Sequence, residues 1–296
     1  MPRSLPRFTS FLWISVAYVA ALAVAFAVVR ALGPAAHPLW AAALADAVAT
    51  IVVFVFSRAL DNTSVYDPYW SVAPIAVASY FATHPEAASA QPVRQALIIT
   101  LVTLWGIRLT YNWAVGFSGL GHEDWRYADM RKKTGRAYWV TSFLGLHFFP
   151  TAIVYAGLLP LYPALTSSAP LGPMDALAAF VTLAAVGIET IADEQLRAFR
   201  KRRKSSAEIM NTGLWEYSRH PNYFGEALFW WGLFLFARAA KGPLWTVSGA
   251  AAITLMFVFV SIPMIDKRSI ERRPEYREHM RRVSALVPWF RARPGD

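Results

Sequence analysis

Residues 211–236 read NTGLWEYSRHPNYFGEALFWWGLFLF, and this run decides the fold class. Its second half is too apolar to face water, yet Arg219, His220, Asn222 and Glu226 sit where the apolar run begins. Ionisable groups at the edge of hydrocarbon are costly and are kept for binding or chemistry. The segment therefore predicts a helix entering a membrane with a site at its mouth.

The rest of the chain agrees. Its 296 residues are 56% hydrophobic and only 16% charged, with a mean hydropathy of +0.34, whereas soluble domains carry about 25% charged residues. Apolar stretches recur at 8–32, 38–60, 70–83, 93–113, 138–161, 174–193, 223–237 and 244–265. Most approach the roughly 20 residues a helix needs to cross a bilayer. The expectation is all-α: a polytopic membrane helix bundle of seven or eight transmembrane helices with no soluble domain. Stretch 70–83 is the weakest, being short and holding Pro74, and reads as a tilted, kinked or re-entrant helix buried in protein.

The net charge of +10 does not point to nucleic acid, because the bases follow topology. Arg7, Arg58, the 126–136 run, 197–204 and 267–291 fall on one side of alternate crossings. Loops 33–38, 84–92 and 162–173 are nearly free of Lys and Arg, and only Arg238 and Lys241 run against the pattern. By the positive-inside rule both termini are expected in the cytoplasm. The first apolar stretch is about twice the length of a signal-peptide core, so an uncleaved anchor is expected. With no cysteine, thiolate nucleophiles, disulfides and cysteine metal sites are excluded. The six histidines are scattered, which leaves no metal site to propose. No G-x-G-x-x-G, P-loop or G-x-S-x-G element occurs.

Several constellations remain. Glu189, Asp193, Arg197 and Arg200 recur at steps of four, four and three, which places them on one helix face, either as intrahelical ion pairs or as part of a site. Asn222, Glu226 and Trp230 share the next face, after a Pro221 suited to a first helical turn and close behind Tyr217. Lys267 and Arg268 leave the last crossing, where they suit either lipid headgroups or a bound phosphate. Near the N-terminus, Tyr66 and Asp67 head the short helix, and Trp105, Arg108, Tyr111 and Asn112 are polar for their depth in the next one. Within 115–137 the glycines, His122, the acidic residues and the mixed Trp, Tyr and basic residues read as an interfacial amphipathic helix, as a direct part of a site, or as both.

These residues resemble the steroid 5-alpha-reductase-like membrane family, a bacterial branch of it, over roughly 38–290. The most specific matches are IETIADEQLRAFR at 188–200 and GLWEYSRHPNYFGE at 213–226. The resemblance implies a membrane domain over 38–296 with residues 1–37 as an added transmembrane helix. It implies NADPH as cofactor, contacted by Arg108, Asp193, Arg197, Arg200, Tyr217, Asn222, Glu226 and Trp230, with Lys267 and Arg268 in the C-terminal cofactor segment. The activity implied is reduction of an activated C=C bond in a lipophilic, steroid-like enone or enoyl substrate that enters from the lipid. Location would be a bacterial inner membrane, with the cofactor site facing the cytoplasm. Tyr66-Asp67 resembles the family's Gln-Glu pair, and the family's ketone-polarising Tyr falls on Trp105, an indole that cannot supply a proton. The catalytic candidates are therefore Tyr66, Asp67 and Tyr111.

The RHPNY run also resembles membrane methyltransferases of the isoprenylcysteine carboxyl type, which use S-adenosylmethionine. Charge separates the two readings. NADPH carries about four negative charges and asks for bases, whereas S-adenosylmethionine is a cation and asks for carboxylates. Asp266-Lys267-Arg268 stands where those methyltransferases have a Glu-Glu pair, which favours the polyanionic cofactor. A methyltransferase, or a non-catalytic protein retaining the fold, stays open as the alternative.

Overall fold

A computed structural model describes residues 6–291. The chain is helical throughout, and among the described residues the one extended pairing is an isolated bridge between Ser218 and Ser284. In order come α1 (Arg7–Leu32), α2 (Pro38–Ala59), α3 (Tyr69–Thr83), α4 (Pro92–Gly116), α5 (Trp125–Thr134), α6 (Tyr138–Ser142), α7 (Phe149–Leu158), α8 (Leu161–Thr166), α9 (Pro173–Arg202), α10 (Pro221–Ala239), α11 (Val247–Met256), α12 (Ile262–Arg272) and α13 (Tyr276–Arg282). Six stretches among the described residues are long and apolar enough to cross a membrane. They are α1, α2, α4, the run from α5 through α8, α9, and the run from Leu244 through α12. The protein is thus a polytopic helical bundle.

The other two predicted crossings, α3 and α10, are enclosed by the bundle. At 15 residues α3 is only about 22 Å long, short of the roughly 30 Å hydrocarbon core. α10 is the central helix, with Glu226, Phe229, Trp230, Leu233 and Phe236 all buried. It lies against α9 because Gly225 and Gly232, seven residues apart, present no side chain there. A Cβ on Gly225 would stand 3.0 Å from the Ala185 carbonyl oxygen, and one on Gly232 would stand 2.2 Å from Thr182 Oγ1. Small residues at such a contact let helix backbones approach closely.

Two crossings contain a widened π-helical turn, at Phe143–Phe148 and Phe257–Ser261. Each is followed within two residues by a proline, Pro150 and Pro263. A proline has no N–H for the preceding turn and its ring crowds that turn's carbonyl, so the wider turn lets the helix continue.

The bundle has two distinct ends. At the end poor in bases, the buried Arg94 joins α4 to the start of α9: its Nε donates to Asp175 Oδ1 at 2.6 Å and its terminal nitrogens donate to the carbonyls of Ala169 and Pro170. This base was absent from the sequence expectation that the end carries almost none. At the basic end, α5 lies across the α2–α3 turn. Asn62 caps that turn by accepting the Ser64 N–H at 2.8 Å, and its amide donates to the Leu120 and His122 carbonyls.

Candidate functional site

Three helices bring together polar residues read from the sequence. On α9, Asp193 Oδ2 accepts from Arg108 of α4 at 2.7 Å and from Asn112 Nδ2 at 2.9 Å, while Oδ1 accepts from Asn222 of α10 at 3.3 Å. Arg108 also forms an ion pair with Glu189, one turn away on α9. Arg197 donates to Asn112 Oδ1 at 2.7 Å and pairs with Glu194. The stripe at 189, 193 and 197 is therefore tied to the neighbouring helices rather than only to itself.

One turn deeper, Glu226 is held by two indoles. Trp105 Nε1 donates to its Oε2 and Trp230 Nε1 to its Oε1, each at 2.9 Å. Trp105 is fully buried and stacks on Phe229 with ring centroids 4.5 Å apart. Its N–H is committed to Glu226 and has no proton to spend on a substrate. Glu189 is close enough to Glu226 to couple with it electrostatically. Its Oε2 is sealed from solvent and lacks a hydrogen-bond partner among the described residues, as does Arg108 Nε. Three carboxyl groups thus gather near one buried arginine, which pairs with two of them, and the more peripheral Arg197. This is an acidic, incompletely satisfied cluster inside a helical bundle.

Other predicted residues stand apart from it. Arg200 is exposed at the basic end of α9. Tyr217 is 41% exposed and meets the Phe290 ring rather than the cluster. Lys267 is exposed, and Arg268 lies 3.7 Å above the Trp125 ring and 3.7 Å from Asp129, so it docks α5. The catalytic candidates divide among separate partners. Tyr66 shares a hydrogen bond with Thr151 at 2.8 Å, Asp67 accepts from Tyr127 at 2.5 Å, and Tyr111 is 57% exposed with the Arg197 guanidinium over its ring. Among the described residues no hydrogen bond or ring contact joins Tyr111 to the other two.

Arg219 and His220 of the opening run bind the chain to its own C-terminal segment. Arg219 donates to Asp266 at 2.8 Å and to the Val283 carbonyl at 2.6 Å, and His220 Nε2 pairs with Asp266 at 2.9 Å. Sequence reasoning missed the part played by Glu189, Asn112 and Trp105. The signal for the first two was present, as polar residues on the inward faces of α9 and α4.

Asp67 lies between two crossings, where burial pushes its carboxyl up to about 7, partly offset by the Tyr127 hydroxyl and by Arg126. A carboxyl whose folded pKa is raised binds more protons folded than unfolded, so it weakens the fold as pH rises from its ordinary value through about 7. Stability is expected to fall between pH 5 and pH 8, and Asp67→Asn should flatten that slope. Thermal midpoints of both proteins across this range check it, and parallel profiles would refute it.

The comparisons with known proteins follow the same geography. The family described as "Protein of unknown function (DUF1295)" matches residues 53–283. The chain belongs to that family. The match starts within α2 and leaves α1 outside it. The uncharacterized protein C594.04c of Schizosaccharomyces pombe is 27% identical over 252 residues, covering 77% of this chain and 73% of that protein. Methanethiol S-methyltransferase 1 of Bradyrhizobium diazoefficiens is 32% identical over 82 residues, covering 27% of this chain and 26% of that enzyme. No solved structure matches.

Proposed function

We propose that this DUF1295 protein is a membrane methyltransferase that takes S-adenosylmethionine at the Asp193–Glu226 cluster and methylates a small or lipophilic nucleophile. The observation that carries this reading is the acid excess: Glu189 and Asp193 both pair with Arg108, Glu226 lies close enough to Glu189 to couple with it, and one Glu189 oxygen is sealed from solvent. A cationic ligand offsets that excess where a polyanion would add to it. The local similarity to a methanethiol S-methyltransferase points the same way. When bound, the cofactor supplies an activated methyl group on a sulfonium. The chain's contribution is positional. Asp193 is fixed by Arg108, Asn112 and Asn222, Glu226 is fixed by two indoles, and the faces of Trp105, Trp230 and Phe229 exclude water beside them. Aromatic faces near a cation add about 0.5–2 kcal/mol of attraction. By the positive-inside rule the basic end is cytoplasmic, and the cofactor enters there.

The NADPH-dependent reductase is the second reading, favoured by a specific feature. Arg200 stands near Arg203 and Arg273 at the basic end of α9, a patch suited to phosphate. Against it, Tyr66, Asp67 and Tyr111 are engaged elsewhere, and neither the family description nor the two relatives carries a reductase activity.

Titrating the detergent-purified protein with each cofactor separates the two. Binding of S-adenosylmethionine that weakens about tenfold or more in Glu226→Gln, as loss of a buried charged partner implies, and is unchanged in Arg200→Ala is the expected result. Binding of NADPH that depends on Arg200, without response to S-adenosylmethionine, overturns the proposal.

A further inference from the structure

A second polar feature lies away from this cluster, between α1, α2 and α3. The near half of α1 is sealed: Tyr18 donates to the Val65 carbonyl at 2.9 Å and its ring meets Tyr69 edge-on. Beyond Ala21 the three helices line a half-open cavity of about 720 Å³. The sequence explains the space. Ala42, Ala45 and Ala49 on α2 and Ala73 and Ala76 on α3 line it with methyl groups where larger residues would close it.

One carboxyl group faces that space. Asp46 lies on the cavity wall and is 6% exposed; Oδ1 accepts from Tyr69 at 2.7 Å. Oδ2 accepts no hydrogen bond among the described residues and is not sealed from contact, which leaves it open to the cavity. Among the described residues no cationic side chain forms an ion pair with Asp46, although Arg30 lines the same cavity. A carboxylate at this depth in an apolar bundle is costly without a cation, and such residues mark ligand paths. The hollow is of ligand size and mostly apolar; Asp46 and Tyr69 form a hydrogen-bonded pair on its wall, and Arg30, Ser79, Thr83 and His84 also line it.

We propose that this cavity binds a lipophilic amine, whose ammonium group pairs with Asp46 while its apolar body fills the alanine-lined space between α1, α2 and α3. The site is separate from the Asp193–Glu226 cluster and does not depend on the cofactor assigned there.

The test uses a long-chain primary amine carrying a photoreactive diazirine, and a probe of equal length ending in a methyl ether, on the full chain in detergent. The amine is expected to label α1–α3 peptides at least tenfold more than the ether. Asp46→Asn should remove that difference, and Ala76→Phe, which fills the hollow from the partly exposed face of α3, should block both probes. Displacement by phosphatidylethanolamine as well as by alkylamine marks a membrane lipid as the source, and displacement by alkylamine alone marks a free amine. Equal labelling by the two probes overturns the proposal. So does undiminished amine labelling in a folded Asp46→Asn protein, and if that variant does not fold, undiminished labelling in Ala76→Phe decides it in the same way.

Discussion

Replacing Asp266 with alanine is expected to release the C-terminal segment and to destabilise the protein by about 3–5 kcal/mol, the range for breaking a buried ion pair from one side. Asp266 is 4% exposed and accepts from Arg219 at 2.8 Å, Tyr276 at 3.2 Å and His220 Nε2 at 2.9 Å. Without it the buried Arg219 keeps two carbonyl acceptors, on Met280 and Val283, and has no counter-charge. The remaining ties, among them the Arg219 N–H to the Ser284 carbonyl, Ser218 to the Leu286 carbonyl and the Trp289 N–H to the Tyr217 carbonyl, are ordinary hydrogen bonds. Trypsin should then cut after Arg272, Arg277, Arg281 and Arg282 far faster than in the parent protein, and the thermal midpoint should fall. Asp266→Asn keeps an acceptor oxygen and should fall between the two. Unaltered cleavage in Asp266→Ala would show that α13 is held by its other contacts alone.

That latch changes how the opening run is understood. RHPNY reads in the sequence as a site at a membrane mouth, and it contains two kinds of residue. Arg219 and His220 close the end of the bundle over its own tail, whereas Asn222 and Glu226, on the turns that follow, face the acidic cluster. A motif shared by families with different cofactors need not contact the cofactor with every residue. Two of the residues that make this run distinctive are engaged in holding the fold.

The helices were legible because each crossing must satisfy its backbone internally, which fixes both length and composition. The stripe at 189, 193 and 197 was legible because helical spacing alone puts it on one face. The partners of that stripe were not. Arg108 lies 85 positions from Asp193, and Trp105 lies 121 from Glu226, so the pairing depends on which helices adjoin. The same reason hid the part played by Arg94, whose partner Asp175 lies 81 positions away. Tyr66, Asp67 and Tyr111 came from the family resemblance and from local polarity, and neither says whether a hydroxyl or carboxyl already has a partner. Asp46 gave the weakest signal, one acid in ALADAV, and only the packing of α1 and α3 around it reveals the hollow it faces.

Arg108→Met is expected to have the largest effect in the protein's interior. The Arg108 side chain is 11% exposed and its carboxylate partners Glu189 and Asp193 are 5% and 12% exposed, so none of the three is well solvated. Methionine fills much of the volume while removing the charge, and it leaves two carboxyl groups beside Glu226 with Arg197 too far out on the helix to replace the lost contact. The penalty for stranding buried charge is again about 3–5 kcal/mol, and part of it can be relieved only by protonation. The second substitution is what makes the test specific. In Arg108→Met with Glu189→Gln one stranded carboxyl becomes an amide, so the double variant should recover a substantial part of the loss, with a coupling of about 2 kcal/mol in the cycle. Thermal midpoints of the parent, both single variants and the double variant in detergent supply the four corners. Additive midpoints would mean that Arg108 and Glu189 are independent, and the acid excess that supports a cationic cofactor would then have to be argued from Asp193 and Glu226 alone.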